Sequence, residues 1–323
     1  MLTLEFVVAR APDPAYTRAI GPGLPAVVGR ICEMKVRLFA LLSTALLMAL
    51  AAAPASASNL SQGLSYLALG DSVPFGFNPL VDASNPENFT GYPEIVAQRV
   101  HVKDVNATCP GEATGGFLSL TGTDNVCRPY RSAFPLHVSY STSQVDFAVA
   151  YLRAHPRTRL VTLTLGANDF FRFQKDCAAT PPGPTCALGL GGVLAVMQAN
   201  LSTIFGAIRS TGYSGLIVAV TYYSLNYADP ASVGGALALN AAMSAAATAN
   251  GALIASGFDA WAPVAATAGG DSCAAHLLIA LPDGTCDVHP TPLGRDLLAS
   301  AVIDKVATTC PEDNAVICLR ARD

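Results

Sequence analysis

Short apolar runs alternate with helical patterns from residue 65 to residue 306, and this alternation restricts the fold more than any other feature of the sequence. Five candidate strands lie at residues 65–69, 102–107, 160–165, 216–221 and 252–258. Four candidate helices lie at residues 143–154, 193–209, 233–250 and 292–306. Strands separated by helices predict an α/β domain in which about five parallel strands are covered by helices on both faces.

Residues 34–57 have the layout of a secretory signal peptide. Lys35 and Arg37 form a short basic region, residues 38–53 are mostly apolar, and Ala-Ser-Ala at residues 55–57 offers a cleavage site. A membrane anchor is the alternative, but this apolar run is shorter than the roughly 20 residues of a span. We expect a secreted protein whose residues 58–323 form a single domain, and we interpret residues 1–33 as an upstream extension from a mis-assigned start codon.

Nine cysteines support export, because disulfides form in oxidising compartments. Cys32 precedes the signal segment, and eight cysteines follow it: Cys109, Cys127, Cys177, Cys186, Cys273, Cys286, Cys310 and Cys318. Eight cysteines allow 105 pairings. Joining sequence neighbours gives the simplest set, which is 109–127, 177–186, 273–286 and 310–318. Without a C-x-x-C motif or a cysteine pair near paired histidines, we expect no metal site.

Charge and motifs exclude several classes of function. The net charge is −4, which gives no basic footprint for nucleic acid. The sequence has no G-x-G-x-x-G, P-loop or H-E-x-x-H motif, so we expect no cofactor. Asparagine and glutamine interrupt the Ala-rich helical patterns, which favours core helices over membrane spans in the secreted chain. We expect a monomer, with residues 189–192 as a flexible lead-in to a helix.

Three strand ends carry polar or glycine residues that acyl transfer could use. Ser72 follows the first strand in "YLALGDSVPFGF", Gly111 follows the second, and Asn168 follows the third. Ligands of parallel α/β sheets bind at the carboxyl ends of the strands. At one sheet edge, the Ser72 hydroxyl would supply a nucleophile. The backbone N–H of Gly111 and the side-chain amide of Asn168 would supply hydrogen-bond donors.

A base is also required, and His289 is the best placed of five histidines. It stands in "CDVHPTPLG", which we predict to be a loop before the last helix that borders the same edge. His137 and His155 lie in segments without such a placement and are interpreted as surface or packing residues. Three long irregular segments, at residues 112–142, 172–188 and 262–288, adjoin the proposed disulfides and are expected to be functional or tied down.

The four segments that contain Ser72, Gly111, Asn168 and His289, in this order along the chain, resemble the motifs of the SGNH (GDSL-type) hydrolase superfamily. Their pattern is similar to that of secreted actinobacterial members. The resemblance covers most of residues 64–306 and implies a three-layer α/β/α, flavodoxin-like fold. It implies that Ser72 attacks an ester carbonyl and that His289 transfers the proton. It also implies an oxyanion hole formed by the backbone N–H groups of Ser72 and Gly111 and the side chain of Asn168.

One departure concerns the residue that orients His289. The superfamily usually has an acidic residue three positions before the histidine, where this chain has Cys286, while Asp287 lies two positions before it. Either the Asp287 carboxylate or the main-chain carbonyl of Cys286 would hold the imidazole. Asp71 and Asp169, inside the motifs, are expected to brace loops.

The sequence therefore predicts a secreted serine esterase or lipase that acts on a small-molecule or lipid ester. The alternatives are a carbohydrate (acetyl) esterase or acyltransferase of the same fold, which would use the same residues, and a non-catalytic secreted binding protein.

Overall fold

The central sheet contains five parallel strands in the spatial order β2-β1-β3-β4-β5. The computed structural model describes residues 63–309, 317, 318 and 321, all within one compact unit, Ser58–Asp323. The strands are β1 Ser65–Gly70, β2 Lys103–Asn106, β3 Thr158–Thr164, β4 Leu216–Val220 and β5 Leu253–Ala255. This is the strand order of flavodoxin-like folds, so the predicted fold class is confirmed.

The core lies on both faces of the sheet. Leu67 pairs with Val105 on one side and Val161 on the other, and Leu163 pairs with Ala219. These strand residues are fully or almost fully buried except Val105, which lies on the β2 edge strand. Continuous apolar strands are typical of a parallel sheet that is covered on both faces.

Helices form the two outer layers. They are α1 Ser72–Phe75, α2 Tyr92–Arg99, α3 Thr114–Leu118, α4 Cys127–Ala133, α5 Gln144–Ala154, α6 Ala167–Ala178, α7 Gly189–Ser210, α8 Pro230–Ala249, α9 Gly257–Ala266 and α10 Pro292–Thr308. α2, α9 and α10 pack together, as do α5, α7 and α8. The four predicted helices are present, and Ser143 caps α5 by accepting the N–H of Asp146.

Several predicted boundaries and loops are wrong. The fifth strand ends at Ala255 because the Ser256 side chain caps α9. Residues 189–192 are the first turn of α7 rather than a flexible lead-in. The segment 112–142 contains α3 and α4, and 262–288 contains the end of α9 and much of an antiparallel hairpin, β6 Leu278–Ala280 and β7 Cys286–Pro290.

Three of the four predicted disulfides are present: Cys109–Cys127, Cys177–Cys186 and Cys273–Cys286. Cys310 lies outside the described residues, as do the predicted signal peptide at 34–57 and residues 1–33, so those predictions stand as made. Within the described part of the chain, Cys186–Ser210 has the length and apolar composition of a membrane span. In this domain Met197, Leu201 and Phe205 of that segment are fully buried in the core.

Candidate active site

Ser72 lies at the carboxyl end of β1, where the chain turns sharply into α1. Gly70 ends the strand with a φ of 131°, and a Cβ there would lie 2.0 Å from the carbonyl oxygen of Thr164. Only glycine therefore fits between β1 and β3 at this point. Asp71 caps α1 by accepting the N–H of Val73 at 3.0 Å, which makes Ser72 the first helical residue.

His289 reaches Ser72 from β7, whereas the sequence predicted a loop. Its Nε2 lies 2.7 Å from the Ser72 hydroxyl oxygen, and its Nδ1 is hydrogen-bonded to Oδ1 of Asp287. The same carboxylate oxygen accepts the backbone N–H of His289 at 3.0 Å. When the Nδ1–H donates to Asp287, Nε2 is the acceptor for the Ser72 hydroxyl.

Packing and a disulfide hold this pair in place. The Phe77 ring lies edge-on to the imidazole, with 4.9 Å between the ring centroids. The Tyr223 hydroxyl donates to the Val288 carbonyl at 2.7 Å, and the Cys273–Cys286 disulfide ties the start of β7 to a neighbouring turn. Burial would raise the pKa of Asp287, but hydrogen bonds from His289 outweigh it and lower the pKa, so the carboxylate stays ionised.

Three hydrogen-bond donors border the same cavity as the Ser72 hydroxyl. Within the described chain, nothing accepts the N–H of Ser72 or Gly111. Gly111 has a φ of 80°, and a Cβ there would lie 2.0 Å from Cγ2 of Val126, so only glycine fits at this turn. Asn168, buried at the start of α6, accepts the Asn125 amide on Oδ1 at 2.9 Å, which leaves its own Nδ2 for the cavity.

Asp71 and Asp169 connect the loops around the site, as expected. Asp71 accepts the hydroxyl of Tyr222, and that hydroxyl oxygen accepts the N–H of Ala167 at 3.2 Å. Asp169 accepts both the N–H of Thr114, at 2.9 Å, and its hydroxyl, at 2.6 Å. Burial raises the pKa of each carboxyl to about 6.

A cavity of about 580 Å³ brings the predicted residues together, since Ser72, Gly111, Asn168 and His289 all line it. The remaining walls are mainly apolar. They include Phe77, Val126, Phe170, Phe171, Leu225 and Leu239. His137 lies elsewhere, with its Nε2 3.0 Å from the Phe75 carbonyl, and His155 stacks on Tyr151, so both have packing roles.

Sequence reasoning missed three residues that position the site. Tyr222 and Tyr223 lie two and three residues after the end of β4, so applying the strand-end rule to the fourth strand would have found them. Asn125 stands in "TDNVC", between α3 and α4, and nothing in its sequence context indicates its contact with Asn168.

One cluster of metal-ligand type occurs among the described residues, formed by Cys109, Glu112 and Cys127. The two sulfurs are joined in a disulfide. The cluster therefore offers a metal only one carboxyl group, which does not make a site.

Comparison with protein families gives a match over most of the domain. A model described as the GDSL-like lipase/acylhydrolase family matches residues 68–297. This range begins in β1 and ends in α10, so it contains Ser72, Gly111, Asn168 and His289. No curated protein matches the chain.

Solved structures show the same architecture. Phospholipase A1 from Streptomyces albidoflavus NA297 aligns with a TM-score of 0.50 at 20% identity, covering 75% of this chain and 99% of that one. A catalytic mutant of an acetylxylan esterase from Geobacillus stearothermophilus aligns with a TM-score of 0.50 at 15% identity, covering 75% and 94%. At these identities the similarity is one of fold.

Proposed function

Because the chain belongs to the GDSL-like lipase/acylhydrolase family, we propose that it is a secreted serine hydrolase of carboxylic esters. The contacts from the Ser72 hydroxyl through His289 to Asp287 carry this proposal. In this arrangement the serine hydroxyl is hydrogen-bonded to one imidazole nitrogen, and a carboxylate holds the other nitrogen. Such an arrangement activates serine for attack on a carbonyl.

The proposed reaction has two halves. The Ser72 oxygen attacks the ester carbonyl carbon while its proton moves to Nε2 of His289. The carbonyl oxygen becomes an oxyanion, which the N–H groups of Ser72 and Gly111 and the Nδ2 of Asn168 stabilise. The C–O bond to the alcohol then breaks, and the alcohol leaves with the proton from His289. In the second half, water attacks the acyl-enzyme while its proton moves to Nε2 of His289. The acid is then released, and the proton returns to the Ser72 oxygen.

Asp287, rather than the Cys286 carbonyl, is proposed to orient His289. Its carboxylate accepts both Nδ1–H and the backbone N–H of His289, and its lowered pKa keeps it charged. A fixed negative charge at Nδ1 holds the required tautomer and stabilises the imidazolium that forms after proton transfer.

The test is hydrolysis of p-nitrophenyl acetate by protein purified with its disulfides intact. We expect Ser72→Ala to lower kcat by about 10³-fold or more, since the nucleophile is lost. Ser84→Ala, at an exposed serine, is the control and should retain wild-type activity. Equal activity of wild type and Ser72→Ala would refute the assignment. Inactivity of the wild type on every ester tested would instead favour a binding protein.

Export is the second part of the proposal. Three disulfides in the structure support folding in an oxidising compartment, and residues 34–57 have the layout of a signal peptide. N-terminal sequencing of protein from the culture medium should begin at Ser58. Sequencing of the intact precursor should begin at Met34, and a peptide from residues 1–33 would refute the start assignment.

A further inference from the structure

Two helices build part of the apolar wall of the cavity beside Ser72. Phe170 and Phe171 lie near the start of α6, two and three residues after Asn168. Ala231, Gly235, Ala236 and Leu239 lie on the first three turns of α8. These two helices follow β3 and β4, so their walls extend along the sheet edge from the nucleophile.

The proposed chemistry determines which part of an ester would occupy this space. The carbonyl oxygen must face the Asn168 amide, and the leaving alcohol must lie at Nε2 of His289 to receive the proton. The acyl chain is the remaining substituent on the carbonyl carbon. Phe170 and Phe171 line the cavity on α6, the helix that also carries Asn168, so an acyl chain placed along α6 would run toward α8.

We propose that the space between α6 and α8 is a subsite for a long apolar acyl chain, and that Gly235 determines the length of chain accepted. This inference rests on the proposed function. The cavity volume of about 580 Å³ falls within the range of pockets that enclose drug-sized ligands. An acetyl group would fill a small part of it and leave the apolar walls of α8 without a partner.

Gly235 is the position where a side chain would most directly shorten the subsite. It is half-buried, lines the cavity, and a Cβ built on it would meet no heavy atom within 4 Å. The space in front of it is therefore open. Glycine inside a helix lowers stability relative to alanine. At position 235 its small size leaves space in the cavity that a side chain would fill.

The adjacent Gly234 is a matched control. It lies in the same helix, it is exposed, and a Cβ there also meets no heavy atom within 4 Å. It does not line the cavity. Replacing either glycine with leucine changes helix propensity and apolar content equally, but only the change at Gly235 puts carbon atoms into the subsite.

The experiment compares kcat/KM for p-nitrophenyl esters from acetate to dodecanoate in the wild type, Gly235→Leu and Gly234→Leu. Burying each methylene should raise kcat/KM of the wild type about fourfold until the subsite is full. Gly235→Leu should lower the dodecanoate-to-acetate ratio at least tenfold, since it removes space for two or more methylenes. Gly234→Leu should keep the wild-type ratio. Gly235→Ala should give an intermediate ratio, and it provides the readout if the leucine variant does not fold.

Three results would distinguish failure of the subsite, of the role of Gly235 and of the proposed function. A wild type that hydrolyses acetate in a Ser72-dependent way, without any gain on longer chains, would overturn the subsite and leave the proposed function standing. Equal ratios in Gly235→Leu and Gly234→Leu, with both variants melting like the wild type, would overturn the role of Gly235. If the wild type hydrolyses none of these esters, the proposed function itself is overturned.

Discussion

Replacing the carboxyl group of Glu112 with an amide should stabilise the protein at alkaline pH. Glu112 follows Gly111 and is only 3% exposed. Burial, and to a lesser degree the charge of Asp124, raises its pKa to about 8. Its Oε2 lies 3.3 Å from Sγ of Cys127, and because a disulfide sulfur has no hydrogen to donate, this contact gives the ionised carboxylate no hydrogen bond.

The direction in which the free energy of unfolding changes with pH follows from the number of protons that the folded and unfolded states bind. The ordinary pKa of Glu112 is 4.5, so between pH 4.5 and about 8 the folded protein holds a proton that the unfolded chain has released. The free energy of unfolding therefore falls as pH rises, by about 1.4 kcal/mol per pH unit. From pH 6 to pH 8 the loss amounts to about 2 kcal/mol. Glu112→Gln is neutral throughout and should not show this loss.

Thermal unfolding at pH 6, 7 and 8 provides the measurement. For a domain of this size, 1 kcal/mol corresponds to about 2–4 °C, so Tm of the wild type should fall about 4–8 °C further than Tm of Glu112→Gln between pH 6 and 8. The titrations of Asp71 and Asp169 are common to both proteins and cancel in the comparison. Glu87→Gln, at an exposed site, should follow the wild type. Parallel Tm profiles for wild type and Glu112→Gln would refute the argument.

Further predictions concern the candidate active site and are read from kcat on a short ester. Asp287→Asn should lower kcat about 10⁴-fold, the scale for neutralising a triad carboxylate, whereas a fall of less than tenfold would assign the role to the Cys286 carbonyl. Asn168→Ala should lower kcat about 100- to 1000-fold by removing an oxyanion donor. Asn125→Ala should lower kcat about tenfold with little change in KM, because the Asn168 amide loses the partner that directs it; an unchanged kcat would show that the amide needs no such partner.

The sequence was sufficient for the sheet and for the residues at its carboxyl edge. Strand ends are local features, and parallel strands place them on one edge whatever their order. The observed order puts β1 beside β3, so Ser72 and Asn168 flank the point where the connections leave the sheet in opposite directions. Ligands of doubly wound sheets bind at this switch point.

The walls of the cavity could not be predicted in the same way. Phe170 and Gly235 lie on helices that follow different strands, and Asn125 reaches Asn168 from a segment that the sequence presented as irregular. The residues that meet around this cavity are distant along the chain, and no periodicity or spacing encodes their meeting. Positions that control substrate choice are therefore harder to read from sequence than positions that carry the reaction.

The question of what orients His289 depends on the conformation of a five-residue segment. In a loop, spacing from the histidine says little about direction, so the Asp287 carboxylate and the Cys286 carbonyl were equally reasonable. Residues 286–290 instead form β7, and alternate residues of a strand point to the same face. Asp287 and His289 therefore share a face, and their side chains meet. Pairing of β7 with β6, secured by the Cys273–Cys286 disulfide, thus allows an acidic residue two positions before the histidine to occupy the place beside Nδ1.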